Sequence, residues 1–186
     1  LCHVAEQVMS NLAQMATGGQ VYFCPAIPEL KDYLVEVRPT VLAAVPRVWE
    51  TFQAALEANL SQATGIKGKL AAWARQTELA AIEEELRTGR PVISFQRNLA
   101  NKLVISKIQE ALGLDQLEVA CSAAAPISVN TLRFFASIGI KITEWYGMSE
   151  TCGIISGNPS TGIRFGSVGT PVAGVEVKIA EDGEIM

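Results

Sequence analysis

Histidine, cysteine and aromatic residues are scarce in this sequence, and each shortage removes a class of function. A single histidine, His3, and four scattered cysteines without a CxxC pair, Cys2, Cys24, Cys121 and Cys152, leave no ligand set with zinc-site spacing. Three of the cysteines lie beside apolar or small residues, so they read as packed free thiols of a reducing compartment, with the cytosol as the default. No apolar run approaches the roughly 20 residues that a membrane-spanning helix needs. The formal net charge of −4 offers nucleic acid or an anionic lipid surface no overall attraction, so nucleic acid is not an expected partner.

What remains is a globular chain: 186 residues, 49% of them apolar, are enough to bury one sizeable core. Residue 1 is Leu rather than Met, and "EDGEIM" stops just after a turn signal as a further strand begins, so a piece of a longer chain is expected.

Along the chain, strand and helix patterns alternate. Val4, Val8 and Leu12 mark one face of a helix over residues 4–15, ended by a Gly-Gly turn. "VYF" (21–23) and "TVLAAV" (40–45) read as strands buried on both faces, with a helix from Pro28 to the Arg38-Pro39 pair between them. "PRVWETFQAALEANL" is a further helix, and residues 65–112 form a helical insertion broken at Gly89, Arg90 and Pro91. Within it, the acidic run Glu83 to Glu85 reads as a solvated helix face. "LEVAC", a helix capped by Ser128, and "IKITEWYG" make another β-loop-α-β unit. From residue 166 the Gly- and Pro-punctuated texture, with "EDGE" as a hairpin turn, predicts the beginning of a small β subdomain. The expected fold class is therefore α/β: a largely parallel sheet flanked by helices over 1–165, with that β subdomain at the C-terminal end.

Ligands of such sheets collect at the carboxyl ends of strands, where two loops of this chain fall. "SAAAP", Ser122 to Pro126, is a run of small residues that either exposes main-chain amides to a ligand or simply packs tightly. "YGMSE", Tyr146 to Glu150, joins an aromatic face, a glycine, a hydroxyl and a carboxylate within five residues. Each matches a part of a nucleotide: a ring to stack on a base, a donor for phosphate and a ligand for Mg²⁺. Composition alone leaves this open against a strand-ending Tyr followed by a capping Ser or Thr. His3 reads as a helix cap or as a ligand. Trp145 should alternate with Tyr146 across its strand and point to the other side, as core or as lining for a fatty chain.

Taken in order, these segments resemble the long-chain acyl-CoA synthetases of the adenylate-forming superfamily. "LCHVAEQV" is similar to that family's "LPLxHxxER" segment, and "VRPTVLAAVPRVWE" to its "xPTxxxxVPRxxE" stretch. "SAAAP" stands where "SGGAP" is usual, "ITEWYGMSET" resembles the "YGxTE" signature, and "GSVGTPVAGVEVKI…DGEI" resembles its "GxVGxPxPGxExKI…DGEI" run. The resemblance implies ATP, Mg²⁺, coenzyme A and a fatty acid as cofactor and substrates. It implies that Tyr146 stacks on adenine, Ser149 contacts the α-phosphate, and Glu150 binds Mg²⁺. Ala123, Ala124 and Ala125 would line the adenine and acyl carboxyl through their main chain, Gly147 would let the backbone pass close to the nucleotide, and His3 would lie near the acyl-adenylate. Alanines replace the glycines of "SGGAP", and Gln7 stands where some relatives carry an aromatic gate. The family's phosphate loop and C-terminal lysine do not correspond to any segment of these residues, so weak nucleotide binding without turnover is expected of them alone. Transfer to a carrier protein instead of CoA, and a non-catalytic α/β module, remain alternatives. Peripheral membrane contact of the parent enzyme and oligomeric state also stay open.

Overall fold

The computed structural model describes residues 3–159 and 162–186. The reading of Cys2 as a packed thiol lies outside the described residues. The first helix, α1, runs as α-helix over Val4–Glu6, π-helix over Gln7–Leu12 and α-helix again over Ala13–Thr17. A π turn bonds i to i+5 and holds more residues per turn than an α turn, so the expected Val4-Val8-Leu12 stripe loses phase and Leu12 is 57% exposed.

Residues 21–23 are not a strand, contrary to the sequence reading, and Tyr22 and Phe23 are exposed. A strand exists only through pairing, and among the described residues nothing pairs with this segment. The first expected β-α-β unit therefore keeps only its helix, α2 (Leu30–Val37), and its second strand, β1 (Val41–Ala44). Arg38 caps α2 in the left-handed region, and Pro39 keeps the helix from continuing.

Helix α3 (Pro46–Ser61) opens on its proline, and α4 (Gly65–Thr88) ends at Gly89 with a left-handed cap, as the sequence predicts. Helix α5 starts on a Ser94 cap and comprises Phe95–Ala100, a π segment Asn101–Ile105, and Ser106–Ala111. Next come β2 (Val119–Ser122), α6 (Val129–Ala136), whose Ser128 hydroxyl accepts from the Asn130 N–H at 3.2 Å, and β3 (Ile142–Met148). A 3-10 turn, Ser149–Thr151, leads into β4 (Gly153–Gly157), and β5 is Thr170–Pro171.

The strands form one five-stranded mixed sheet in the order β1-β2-β3-β4-β5. Pairs β1-β2 and β2-β3 are parallel, with helical crossovers, whereas β3-β4 and β4-β5 are antiparallel. The α/β class is as expected, and the antiparallel half begins where the 3-10 turn is short enough to reverse the chain directly. β1 is the edge strand among the described residues, so its side chains alternate exposed and half-buried rather than being covered on both faces. At the C-terminal end, Lys178 and Met186 exchange backbone hydrogen bonds at 2.8 Å around the Asp182-Gly183 turn, which is the hairpin read from "EDGE".

The core lies between the sheet and helices α3 and α6. Trp49 is fully buried, donates its indole N–H to the Cys121 carbonyl at 3.2 Å, and meets Phe135 edge-to-face at a centroid distance of 5.1 Å. Burying such a ring contributes about 1.5–3 kcal/mol from area alone, and the hydrogen bond ties α3 to β2 next to the alanine loop. The acidic run on α4 is a solvated face only in part: Glu83 and Glu84 keep 40% and 44% of their side-chain surface, whereas Glu85 keeps 13%. Glu83 pairs with Arg133 of α6, Glu84 with Arg87, and Glu85 with Arg97 of α5 and with Lys141. The helical segment is thus fastened to the sheet layer through carboxylates that periodicity assigned to solvent.

Candidate active site

At the carboxyl ends of β1, β2 and β3 the chain leaves a cleft of about 600 Å³. One wall is α1, through Val4, Glu6, Val8 and Met9, and the opposite wall is the end of β3 with Gly153 and Ile154 of β4. Ala43, Ala44, Cys121, Ala123 and Ala124 make the floor. Small side chains there follow from the sequence: where three parallel strands end side by side, an alanine leaves the main chain accessible.

Of the residues singled out in the sequence, His3, Ala123, Ala124, Trp145, Tyr146, Gly147, Ser149 and Glu150 all line this one cleft. Ala125 is exposed and lies outside the lining. Ala124 takes φ 72°, a left-handed angle that an L side chain adopts at a cost of roughly 1–2 kcal/mol. Trp145 and Tyr146 both contribute to the cleft, which opens at the end of their strand. The register between β3 and β4 shifts at Tyr146/Gly147, and a bulge of this kind bends and twists the strand. Trp145 lies over Gly157, with its ring atoms 3.2–3.4 Å from where a Cβ on that glycine would be, and its indole nitrogen is buried without a partner.

Gly147 serves packing rather than a wide backbone angle. A Cβ placed there would lie 2.1 Å from the carbonyl oxygen of Gly153, so only glycine lets the two strands meet at the bulge. The turn that follows is held by Thr151, whose hydroxyl donates to the Met148 carbonyl at 3.0 Å and lies 3.1 Å from the Gly153 carbonyl. Ser149 and Glu150 are consequently presented, both exposed, on a turn whose base is tied to two strands.

His3 caps α1: its Nδ1 accepts from the Ala5 N–H at 3.1 Å. In the neutral ring the proton then sits on Nε2. The cap and ligand readings of this residue are compatible, since it also lines the cleft. The Glu6 carboxylate accepts from the Ser10 hydroxyl at 2.6 Å. No Lys or Arg is among the lining residues, so the fixed charges facing the cleft are the carboxylates Glu6 and Glu150. The Cys121 thiol is pushed up to about 11 by burial and stays protonated at neutral pH. Cys24 is half-buried and Cys152 exposed, so of the described cysteines only Cys121 is packed as expected.

Two supporting residues escaped the sequence reading. Glu144, two positions before Tyr146, is buried and accepts from the Gly166 N–H at 2.8 Å. Burial raises its pKa, while hydrogen bonds from the Gly166 and Ser167 amides oppose the rise. Asn158 accepts from the Arg164 N–H at 3.0 Å and donates to the Ser167 carbonyl at 2.6 Å. Together they strap residues 163–169 to the edge of β3 behind the cleft. A carboxylate inside the apolar run "KITEWYG" was the available signal, because a buried charge in a strand requires donors.

The cleft is thus walled by a Tyr-Gly-x-Ser-Glu turn and a small-residue loop, on a mixed sheet with helical crossovers. The AMP-binding enzyme family matches residues 1–185, and the chain belongs to it. It is 38% identical over 190 residues to fadD11 of Mycobacterium tuberculosis (strain ATCC 25618 / H37Rv), covering 99% of this chain and 33% of that protein. It is 37% identical over 196 residues to the long-chain-fatty-acid–CoA ligase ACSBG2 of Xenopus laevis, covering 100% of this chain and 26% of that protein. The fold is also that of apo MatB from Rhodopseudomonas palustris, with a TM-score of 0.56 and 19% identity over 99% of this chain and 27% of that one. The chain thus spans a third or less of the length of the curated relatives it matches.

Proposed function

We propose that the cleft is the adenine- and acyl-facing wall of the active site of an AMP-forming long-chain fatty-acid:CoA ligase. The carrying observation is that one cavity gathers His3, Ala123, Ala124, Tyr146, Ser149 and Glu150 from segments far apart in the chain. The name of the Xenopus relative, a long-chain-fatty-acid–CoA ligase, supports the substrate class. In this reading the α/β part runs to residue 165, and 166–186 begin a β subdomain whose strand β5 pairs with β4.

Two half-reactions follow. The fatty carboxylate attacks the α-phosphorus of ATP, giving acyl-AMP and pyrophosphate, and the CoA thiol then displaces AMP. Tyr146 offers its ring to adenine, a contact worth about 1–3 kcal/mol where aromatic residues stack on bases. The Ser149 hydroxyl donates to an α-phosphate oxygen, and the amides of Ala123, Ala124 and Ala125 face the adenine and the acyl carboxyl. His3, with Nε2–H directed away from its capping bond, and Trp145 face the acyl group.

The approach of two anions costs on the order of 4 kcal/mol per pair of unit charges at 4 Å in a protein-like dielectric. Glu150 would hold Mg²⁺, which supplies charge neutralisation at the phosphates when bound. The residues fit that ion: Mg²⁺ takes one or two carboxylates together with substrate phosphates and waters rather than a full protein cage. Glu150 is such a carboxylate, exposed in the cleft, and no cluster of three or more ligating side chains occurs among the described residues.

With two carboxylates and no basic side chain lining it, the cleft cannot clamp a triphosphate by its own charges. The 186 residues alone are therefore expected to bind ATP weakly, only with Mg²⁺, and to form no acyl-AMP. Calorimetry with ATP and Mg²⁺, paired with hydroxylamine trapping of acyl-AMP, tests both points. Weak Mg²⁺-dependent binding lost in Tyr146→Ala and Glu150→Gln is the expected result. Binding indifferent to both substitutions would overturn the site, and robust turnover by the isolated chain would overturn the missing clamp. No helix among the described residues is long and apolar enough to cross a membrane.

A further inference from the structure

A second concavity lies among the helices and shares no lining residue with the cleft. Its volume is about 510 Å³, inside the roughly 300–1,000 Å³ of pockets that hold one small molecule. The floor is apolar: Leu56 and Leu60 come from α3, Leu70 from α4, and Val104 and Ile108 from α5. Leu56 belongs to the main core and Val104 packs against the small cluster of Ala74, Ala100 and Ile105, so the groove is a seam between two packed units. One end is rigid. A Cβ on Gly68 would stand 2.3 Å from the Ala63 carbonyl oxygen, which locks the start of α4 against the chain leaving α3.

The rim carries charge of one sign. Lys31 of α2, Lys67 of α4 and Lys107 of α5 line the groove, all exposed, and no Asp or Glu lines it. None of the three has an ion-pair partner among the described residues. Elsewhere Arg38, Arg47, Arg87, Arg97, Arg133 and Lys141 each face a carboxylate, and the cations without an ion pair among the described residues, such as Lys69, Lys102 and Lys178, line neither cavity. In a chain of net charge −4, three unpaired ammonium groups around one leucine-lined hollow are complementary to a single anionic head on an apolar tail.

We propose that this groove binds one molecule of an anionic amphiphile of the fatty-carboxylate class, with the tail along the leucine floor and the head among Lys31, Lys67 and Lys107. Each buried methylene favours binding through the hydrophobic effect, and the ammonium groups set the preference for a negative head. A bilayer surface fits less well, because membrane-surface binding uses the protruding apolar face of an amphipathic helix and this site is hollow. The groove shares no lining residue with the cleft, so its occupancy can be measured separately from nucleotide binding.

The test uses the 186-residue chain, dodecanoate below its micelle concentration, dodecanol as the uncharged control, and phosphatidylglycerol vesicles. A diazirine-bearing fatty acid maps the contact by mass spectrometry. Expected are saturable dodecanoate binding, about tenfold weaker in the K31Q/K67Q/K107Q triple variant, unchanged in Glu150→Gln, and crosslinks on residues 103–112. Dodecanol should bind about tenfold more weakly than dodecanoate. The three replacements are on exposed side chains and should leave the thermal midpoint unmoved. Equal affinity in the triple variant, crosslinks confined to residues 145–154, or binding to vesicles without binding of monomeric dodecanoate would each overturn the proposal.

Discussion

Gly147 and Gly153 touch main chain to main chain: a Cβ on the first would sit 2.1 Å from the carbonyl oxygen of the second. This contact is what allows β3 and β4 to shift register between Tyr146 and Gly147 and to present Ser149 and Glu150 into the cleft. Gly147→Ala must push the strands apart, and overpacking of that kind costs typically about 1–3 kcal/mol. Urea unfolding should record the loss, and Mg²⁺-dependent ATP binding should fall with it. Wild-type stability in the variant would mean the strand contact is not obligatory.

Ala124 predicts the opposite sign. Its left-handed φ of 72° is relieved by glycine, which recovers roughly 1–2 kcal/mol, while the added freedom of the unfolded chain costs roughly 0.5–1 kcal/mol. Ala124→Gly should therefore stabilise the protein by about 0.5–1 kcal/mol, read as a raised urea midpoint with an unchanged slope. A lowered midpoint would show that the alanine methyl is doing packing work that outweighs its strain.

Cysteine reactivity should separate three environments. The buried Cys121 thiol titrates at about 11, above the ordinary thiol range. A thiol raised in the folded state contributes stability that is complete below its unfolded pKa and is lost as pH rises through about 11. At pH 8, iodoacetamide should label exposed Cys152 readily, half-buried Cys24 more slowly, and Cys121 only after urea is added. Equal labelling of Cys121 in the folded chain would contradict its place in the core.

Acid unfolding should depend on Asp115. The Arg38 side chain, which hydrogen-bonds to it, holds this carboxyl down to about 2. A depressed carboxyl contributes stability that is present above its unfolded pKa of about 3.9 and is lost as pH falls through the folded value. Asp115→Asn should flatten the fall in thermal midpoint between about pH 4 and 2. An unchanged acid limb would remove this pair from the account of how the α2 cap is held to the segment before β2.

Helix boundaries were largely legible in the chain because their signals are local: Ser128, Gly89 and the Arg38-Pro39 pair each act within one turn. The site was legible because its residues fall in two short loops at strand ends. The losses are equally physical. "VYF" carries strand composition, but pairing is a property of two segments, and its partner is not among the described residues. The carboxylates Glu83 and Glu85 look solvated in a helical repeat, yet their cations come from α5, α6 and Lys141, positions no period reveals, whereas the Arg87 partner of Glu84 lies at i+3 on the same helix.

By itself the sequence determined the alternation of strands and helices, the capping points and the family, and it pointed to the side chains proposed to contact a nucleotide, because propensity and motif are written in neighbouring residues. Only the tertiary structure decided that His3 shares a cleft with Glu150, that Ala125 stays outside it, that Gly147 serves a strand contact, and that Glu144 is buried behind the site. Those outcomes depend on register and on contacts between segments distant in the chain, which packing selects and local sequence does not encode.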